Sequence, residues 1–114
     1  MTVFEQTISV LPEQCDGLGH VNNVQYLHWA EDLAWAHSSA LGLGLARYQA
    51  LDCAMVAREH VLTYLAAWFA GDALCLRTSF SHNDGLRLRR EYRFTRLVDD
   101  KVVFQGHTDW VCVQ

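Results

Sequence analysis

The chain has 114 residues, of which 51% are hydrophobic and 19% are charged, a composition typical of one globular domain. Its net charge is −4 with neutral histidines, and it has no block of lysine and arginine, which excludes a general nucleic-acid binder. No stretch approaches the ~20 apolar residues of a membrane span, and the first residues lack the basic and apolar regions of a signal peptide. We therefore expect one domain over residues 1–114, located in the cytoplasm and not in a membrane.

The first half of the chain predicts one strand and one long helix. Thr2 to Val10 has the pattern of a strand, and the polar residues 13–22 have the pattern of a loop. From Val24 to Leu41, apolar residues recur at three- and four-residue steps, and Gly42 and Gly44 would end the helix. A helix of this length measures about 27 Å, enough to cross a small domain, so we predict that it is the central element.

The second half predicts four strands joined by short turns, after an ambiguous connection at residues 45–52. The strands are expected at Ala54–Leu65, Ala73–Ser81, Leu86–Val98 and Val102–Val113. Asp84-Gly85 is a strong hairpin signal, and short turns produce antiparallel neighbours. These elements predict an α+β fold, in which an antiparallel five-stranded sheet wraps around one long central helix.

Strict alternation assigns the side chains of the first of these four strands to two faces. Val56 and His60 would share one face, and Met55, Ala57 and Val61 would share the other. Both faces are fairly apolar, which is typical of a strand that is covered on both sides.

The four cysteines are Cys15, Cys53, Cys75 and Cys112; they contain no CxxC pair and match no zinc-site spacing. We interpret them as reduced thiols that mostly fill the core.

The loop that leads into the helix concentrates polar chemistry. Asn22 or Asn23 can cap the helix, and Gly19 allows the loop to bend tightly. The first turn of a helix has free backbone N–H groups and partial positive charge, which can hold a carbonyl oxygen as charge develops on it. Asp16 lies just upstream, where a carboxylate can attack a carbonyl carbon or deprotonate a water. A well-capped helix without catalytic function is the alternative interpretation.

The stretch CDGLGHVNNVQYLHWAED resembles the signature of the hotdog-fold acyl-CoA thioesterases of the 4-hydroxybenzoyl-CoA thioesterase family. That family has an acid, a short gap, Gly-His-Val-Asn-Asn or a variant, then Tyr, then an acid on the helix. The corresponding residues here are Asp16, Gly19-His20-Val21-Asn22-Asn23, Tyr26 and Glu31. The likeness continues in EHVLTYLAAWFAGDALCLRTSF and VVFQGHTDWVCV, although Ala66-Ala67 stand where the family often has proline.

The resemblance implies a hotdog fold and roles for particular residues. Asp16 would be the nucleophile or general base, and the backbone N–H of Asn23 would donate to the thioester carbonyl. Gly19 and His20 belong to the same catalytic loop, and His20 is otherwise a loop histidine bonded to backbone. Asn22 and Tyr26 are assigned to substrate binding; Glu31 is assigned a structural role.

Two further features are candidates for substrate binding. Arg87 and Arg89 share one face of their strand, whereas Arg90 breaks the alternation and falls on the apolar face. These arginines suit the phosphates of coenzyme A, or else they form a solvated strand with ion pairs. His60 is either a satisfied core histidine or a residue of the acyl pocket.

We predict hydrolysis of an acyl-CoA or acyl-carrier-protein thioester, with no metal or other cofactor. The resemblance implies a homodimer with active sites at the interface, and dimers that pair into tetramers. A non-catalytic acyl-CoA-binding domain and a hotdog hydratase or dehydratase are the alternatives. The sequence does not distinguish aliphatic from aromatic acyl groups.

Overall fold

The sheet contains one short connection that does not join neighbouring strands, contrary to what the sequence suggests. A computed structural model describes residues 3–42, 54–84 and 86–113 of the chain. Its elements are β1 (Val3–Ser9), a 3-10 turn (Pro12–Gln14), α1 (Asn23–Ala40), β2 (Ala54–Tyr64), β3 (Ala73–Asn83), β4 (Arg87–Arg96) and β5 (Lys101–Val113). All paired strands are antiparallel, in the order β1-β3-β4-β5-β2. The predicted α+β architecture is confirmed, and the ambiguous connection at residues 45–52 lies outside the described residues.

The helix α1 begins and ends where the sequence predicts. The side chain of Asn22 caps it by accepting a hydrogen bond from the N–H of Val24 at 3.0 Å. Gly42, with a φ of +79°, follows its last turn in the left-handed conformation that glycine adopts most easily. The buried side chains recur every three or four residues and form the face that packs on the sheet; they are Tyr26, Trp29, Ala30, Leu33, Ala34 and His37.

The strand β2 does not pair with β3, contrary to the prediction. Residues 65–72 instead cross from β2, at one edge of the sheet, to β3, which lies between β1 and β4. Trp68 lies in this crossing segment and is completely buried, and its carbonyl accepts a hydrogen bond from the N–H of Val21 at 3.0 Å. The crossing is therefore fixed by the burial of one large aromatic side chain beneath the start of α1.

Aromatic rings fill the core between the start of α1 and the sheet. Tyr26 packs on Trp68 with ring centroids 4.6 Å apart, and Trp29 stacks on Trp68 at 5.5 Å. Phe94 from β4 and Phe104 from β5 are fully buried, with centroids 4.8 Å apart. This aromatic cluster fills the core at the end of the domain that carries the Asp16 loop.

A bulge in β2 changes the predicted face assignment. Arg58 has no partner in the register between Ala57 and Glu59, so the alternation shifts by one residue there. Val56 consequently lies on the opposite face from His60, and Ala57 lies on the same face as His60. Strict alternation gave the reverse, because no local sequence signal marks the bulge.

The strand β2 is an edge strand that is largely exposed. Val56, Val61 and Tyr64 are 45%, 43% and 42% exposed. The prediction that both faces of this strand are covered is therefore wrong for the single chain. Apolar side chains on an open edge form a surface on which another strand can pair.

Gly106 on β5 permits an unusually close approach to β2. A Cβ atom at this position would lie 2.4 Å from the carbonyl oxygen of Val61 and 3.1 Å from the side chain of Leu62. Since the nearest obstacle is backbone, a side chain here would force the two strands apart.

The cysteines only partly follow the expectation of reduced thiols. Cys15 and Cys75 are free and half-buried. Cys112 is disulfide-bonded, so the expectation is wrong there. Spacing along a sequence does not reveal which cysteines approach each other in space, and Cys53 lies outside the described residues.

No helix in the described part of the chain is both long enough and apolar enough to cross a membrane.

Candidate active site

Asp16 holds its own loop together. Its carboxylate oxygen Oδ1 accepts hydrogen bonds from the backbone N–H groups of Leu18 at 2.9 Å and His20 at 3.2 Å. The backbone N–H of Asp16 donates to the carbonyl of His20 at 2.7 Å. Gly19, with a φ of +80°, donates to the carbonyl of Asp16 at 3.0 Å. The carboxylate is thus exposed but fixed in orientation.

The loop returns to the start of α1. Cys15 forms a β-bridge with Val21, and the N–H of Asn22 donates to the carbonyl of Gln14 at 3.0 Å. These contacts close the loop at its base. The acid at one side of the loop and the first helical residue, Asn23, are therefore held in one small, closed segment.

The first turn of α1 leaves one backbone donor available. The N–H of Val24 is capped by the Asn22 side chain, and the N–H of Gln25 donates to the Asn22 carbonyl at 2.9 Å. Among the residues that the structure describes, none accepts a hydrogen bond from the N–H of Asn23. Asn23 is also exposed. Its N–H is positioned at the positive end of the helix dipole, where an approaching carbonyl oxygen can accept from it.

The crossing segment and β2 support this site from outside the loop. The imidazole of His20 meets the Phe69 ring edge-on, with centroids 5.0 Å apart, and the two residues form a β-bridge. The hydroxyl of Tyr64 donates to the carbonyl of Asn23 at 3.2 Å. Sequence reasoning missed the roles of Tyr64 and Phe69, because their partners are more than forty residues away and no motif links them.

Tyr26, assigned to substrate binding from the sequence, is a core residue in the single chain. It is 3% exposed, and its ring packs among the aromatic side chains described above. Burial and the nearby Tyr64 raise the pKa of its hydroxyl to about 12, so the phenol is neutral near pH 7. The geometry gives Tyr26 a packing role; a contact with substrate stays a prediction.

Arg87 and Arg89 lie on the outer face of the sheet, which is the face opposite α1, as the alternation predicts. They line a cavity of about 740 Å³ together with Arg58. Arg89 makes a two-pronged ion pair with Asp109, with N–O distances of 2.7 and 3.0 Å. Hydrogen bonds from Arg89 lower the pKa of the Asp109 carboxyl below its ordinary value. The guanidinium of Arg89 is therefore already paired with Asp109, whereas the side chain of Arg87 is exposed to solvent.

Arg90 lies on the inner face, confirming that it breaks the polar pattern, and is 2% exposed. Its guanidinium donates to Nδ1 of His37 at 2.7 Å and to Oγ of Ser38 at 3.2 Å. It also lies over the ring of Phe80, 4.4 Å from the centroid. Burial at the far end of α1 makes Arg90 a link between helix and sheet, away from the Asp16 loop.

We expect the His37–Arg90 contact to make folding sensitive to acid. Burial and the Arg90 charge lower the pKa of His37 below its ordinary value of about 6.5. In the unfolded chain His37 therefore binds a proton that it does not bind in the folded chain. The free energy of unfolding should consequently fall as pH drops below about 6.5. Denaturant unfolding at pH 7.5 and pH 5 measures this fall, which should be smaller in His37→Asn than in the wild type. An equal fall in both proteins would exclude His37 as its source.

His60 lies on the inner face of β2 and is exposed at the edge of the sheet. Its Nδ1 is 2.7 Å from the hydroxyl oxygen of buried Thr108.

The structure thus brings Asp16, Gly19, His20, Asn22 and Asn23 together in one loop. It leaves His60 and the three arginines outside that loop.

One long helix wrapped by a five-stranded antiparallel sheet, with an acidic loop at the helix N-terminus, defines a hotdog-fold protein. The chain belongs to the thioesterase-like superfamily, whose family model matches residues 10–114. The proposed resemblance to the 4-hydroxybenzoyl-CoA thioesterases within it stays a prediction. No curated protein sequence matches the chain significantly.

Solved structures share this fold at low sequence identity. A 1,4-dihydroxy-2-naphthoyl-CoA thioesterase from Synechocystis has a TM-score of 0.88 and 18% identity, over 98% of this chain and 82% of that one. A Staphylococcus aureus protein in complex with CoA has a TM-score of 0.91 and 20% identity, over 98% and 70%. A gentisyl-coenzyme A thioesterase has a TM-score of 0.83 and 18% identity, over 96% and 88%. These likenesses show the hotdog fold.

Proposed function

We propose that this protein hydrolyses an acyl-CoA or acyl-carrier-protein thioester to a free acid and a thiol. The observation that carries the proposal is that the N–H of the exposed residue Asn23, at the start of α1, has no acceptor among the described residues and belongs to the same closed segment as the ordered carboxylate of Asp16. A donor for a developing oxyanion and an acid that can activate the nucleophile are the two groups that acyl transfer needs. Membership of the thioesterase-like superfamily supports the same chemistry.

The reaction uses the two groups in sequence. The thioester carbonyl accepts a hydrogen bond from the Asn23 N–H, which stabilises the oxygen as it becomes negative. Asp16 either removes a proton from the attacking water or attacks the carbonyl carbon itself to form an anhydride that water then cleaves. In both routes the C–S bond breaks, the thiolate leaves with the bonding electrons and takes a proton, and the acid is released. Water is the only co-reactant, so we propose no cofactor.

We propose that the active unit is a homodimer, in which the open edge of β2 pairs with a second copy. The exposed apolar side chains of Val56, Val61 and Tyr64 support this choice, since burial would remove them from water. A pair of dimers forming a homotetramer is the further expectation from the family resemblance.

We propose that a second copy supplies the arginine that binds the coenzyme phosphates. Arg87 lies seven residues before Phe94 on β4, or about 23 Å along the strand at ~3.3 Å per residue. Phe94 packs on Trp68, which contacts the Asp16 loop. Asp16 and Arg87 of one chain are therefore at opposite ends of the sheet. Antiparallel pairing of two β2 edges would bring the Arg87 end of one copy towards the Asp16 loop of the other.

Arg87→Ala should raise the KM for acyl-CoA and change kcat little, because phosphate contacts lie away from the reacting carbonyl. Steady-state thiol release measures both constants. Arg93→Ala, on the same exposed face of β4, is the matched control. A KM that does not change in Arg87→Ala would remove Arg87 from the site without affecting the assignment of Asp16.

Thiol release from a panel of short, long and aromatic acyl-CoAs tests the proposed function. Release from at least one member is the expected result, and the preferred acyl group would identify the substrate class. Saturable acyl-CoA binding with no release from CoA or carrier-protein thioesters would contradict hydrolysis and favour an acyl-binding domain. Loss of enoyl absorbance without thiol release would favour a hydratase.

We retain the cytoplasm as the proposed location. The disulfide at Cys112 is the observation against it, since disulfides persist mostly in oxidising compartments.

A further inference from the structure

Three side chains of types that can bind a metal ion converge on the outer face of the sheet. Glu59 from β2 and His107 and Asp109 from β5 place one ligand atom each within 4.8 Å of the others. Glu59 is exposed, and the other two are half-buried. This group lies on the opposite face of the sheet from α1 and the Asp16 loop.

The strand register explains why these side chains meet. His107 and Asp109 are two residues apart on β5, so they project from the same face. Glu59 is directly opposite Asp109 in the β2–β5 register. The bulge at Arg58 is essential, because without its extra residue Glu59 would project from the inner face.

We propose that Glu59, His107 and Asp109 bind a divalent transition-metal ion, with Zn²⁺ as the best-suited probe. One imidazole nitrogen and two carboxylate oxygens are a ligand set that Zn²⁺ accepts, and three protein ligands leave a position for water. Backbone pairing of β2 and β5 fixes the three Cα atoms, so only side-chain rotations are needed to close the ligand shell. Glu91 lies opposite His107 in the β4–β5 register and can support the site from the next strand.

The positive charge of Arg89 should weaken metal binding, which provides a specific test of the proposed site. Its guanidinium is bound by both oxygens of Asp109, and its positive charge repels a cation at the same carboxylate. Each carboxylate oxygen has a further lone pair, so Asp109 can bind Arg89 and a metal together. Removal of the Arg89 charge should therefore tighten metal binding rather than weaken it. By Coulomb's law in water, a divalent ion about 5 Å from a unit charge loses about tenfold in affinity.

The experiment is calorimetric titration of Zn²⁺ into tag-free, chelator-treated full-length protein. The wild type should bind one ion per chain. His107→Ala and Glu59→Gln should each weaken binding by at least about tenfold, since even residues that only support metal ligands cost that much. Arg89→Gln should strengthen it by about tenfold. Glu13→Gln removes an exposed carboxylate elsewhere in the chain and should leave affinity unchanged.

The outcomes distinguish a metal site at these three residues from the effects of misfolding. A misfolded variant cannot produce the tighter binding expected of Arg89→Gln, so that result would not be explained by loss of folding. The absence of saturable Zn²⁺ binding in both the wild type and Arg89→Gln would overturn the proposal. Equal affinity in wild type and His107→Ala would also overturn it. Because the readout is metal affinity, neither result depends on thioester hydrolysis.

Discussion

Replacement of Asp16 by asparagine is expected to reduce thiol release from the preferred acyl-CoA by at least about 100-fold, the usual contribution of a general base. The substitution removes the negative charge that activates water or attacks the carbonyl. It keeps an oxygen where Oδ1 accepts hydrogen bonds from Leu18 and His20, so the loop should retain its shape. The measurement is steady-state thiol release together with a thermal unfolding curve.

Asp32→Asn is the matched control for Asp16→Asn. Asp32 is an exposed aspartate on α1, and its substitution should leave both the rate and the unfolding temperature close to those of the wild type. A wild-type rate in Asp16→Asn would refute the assignment of Asp16. A low rate together with a lowered unfolding temperature would show that the loop, and not the charge alone, has been lost.

Asn23→Pro is expected to lower kcat by about 10²- to 10³-fold, the usual cost of removing one oxyanion donor. Proline has no N–H, so the substitution deletes the one first-turn donor that no described residue accepts from. Its backbone restraints are compatible with this position. Proline is favoured as the first residue of a helix, and Asn22 already has the extended conformation, φ −61° and ψ 134°, that precedes proline.

Asn23→Ala separates the backbone from the side chain. Alanine removes the same side chain as proline does but keeps the N–H, so its kcat should stay near that of the wild type. Similar losses in both variants would assign the effect to the Asn23 side chain. Unchanged kcat in Asn23→Pro would contradict the oxyanion role, provided that circular dichroism shows α1 intact.

Local features of the fold were predictable because their causes are local. Asn22 and Gly42 bound the helix through contacts within a few residues, and the hairpin at Asp84 is stabilised by its own carboxylate, which accepts from the N–H groups of Leu86 and Arg87. The candidate loop was predictable for the same reason: the carboxylate of Asp16 bonds to residues two and four positions along the chain.

Features that depend on distant residues were not predictable. A short connection suggested that β2 and β3 are neighbours, but the burial of Trp68 under α1 carries the chain across the sheet. The bulge at Arg58 has no sequence signal, since it is defined only by the register with β5. The bond from Tyr64 to the carbonyl of Asn23 joins residues 41 apart in sequence. Each of these features is determined by tertiary packing and not by residue spacing.

The glycine at position 106 has a consequence for the population genetics of this protein. Any substitution of Gly106 adds at least a Cβ atom 2.4 Å from the Val61 carbonyl oxygen. Every missense variant at this position should therefore reduce the amount of folded protein in the cell. Asp16→Asn, which keeps the oxygen that accepts from Leu18 and His20, should leave protein abundance unchanged while removing catalysis. A deep mutational scan that scores abundance and activity separately would therefore place the two positions in different classes of intolerance, although purifying selection would conserve both.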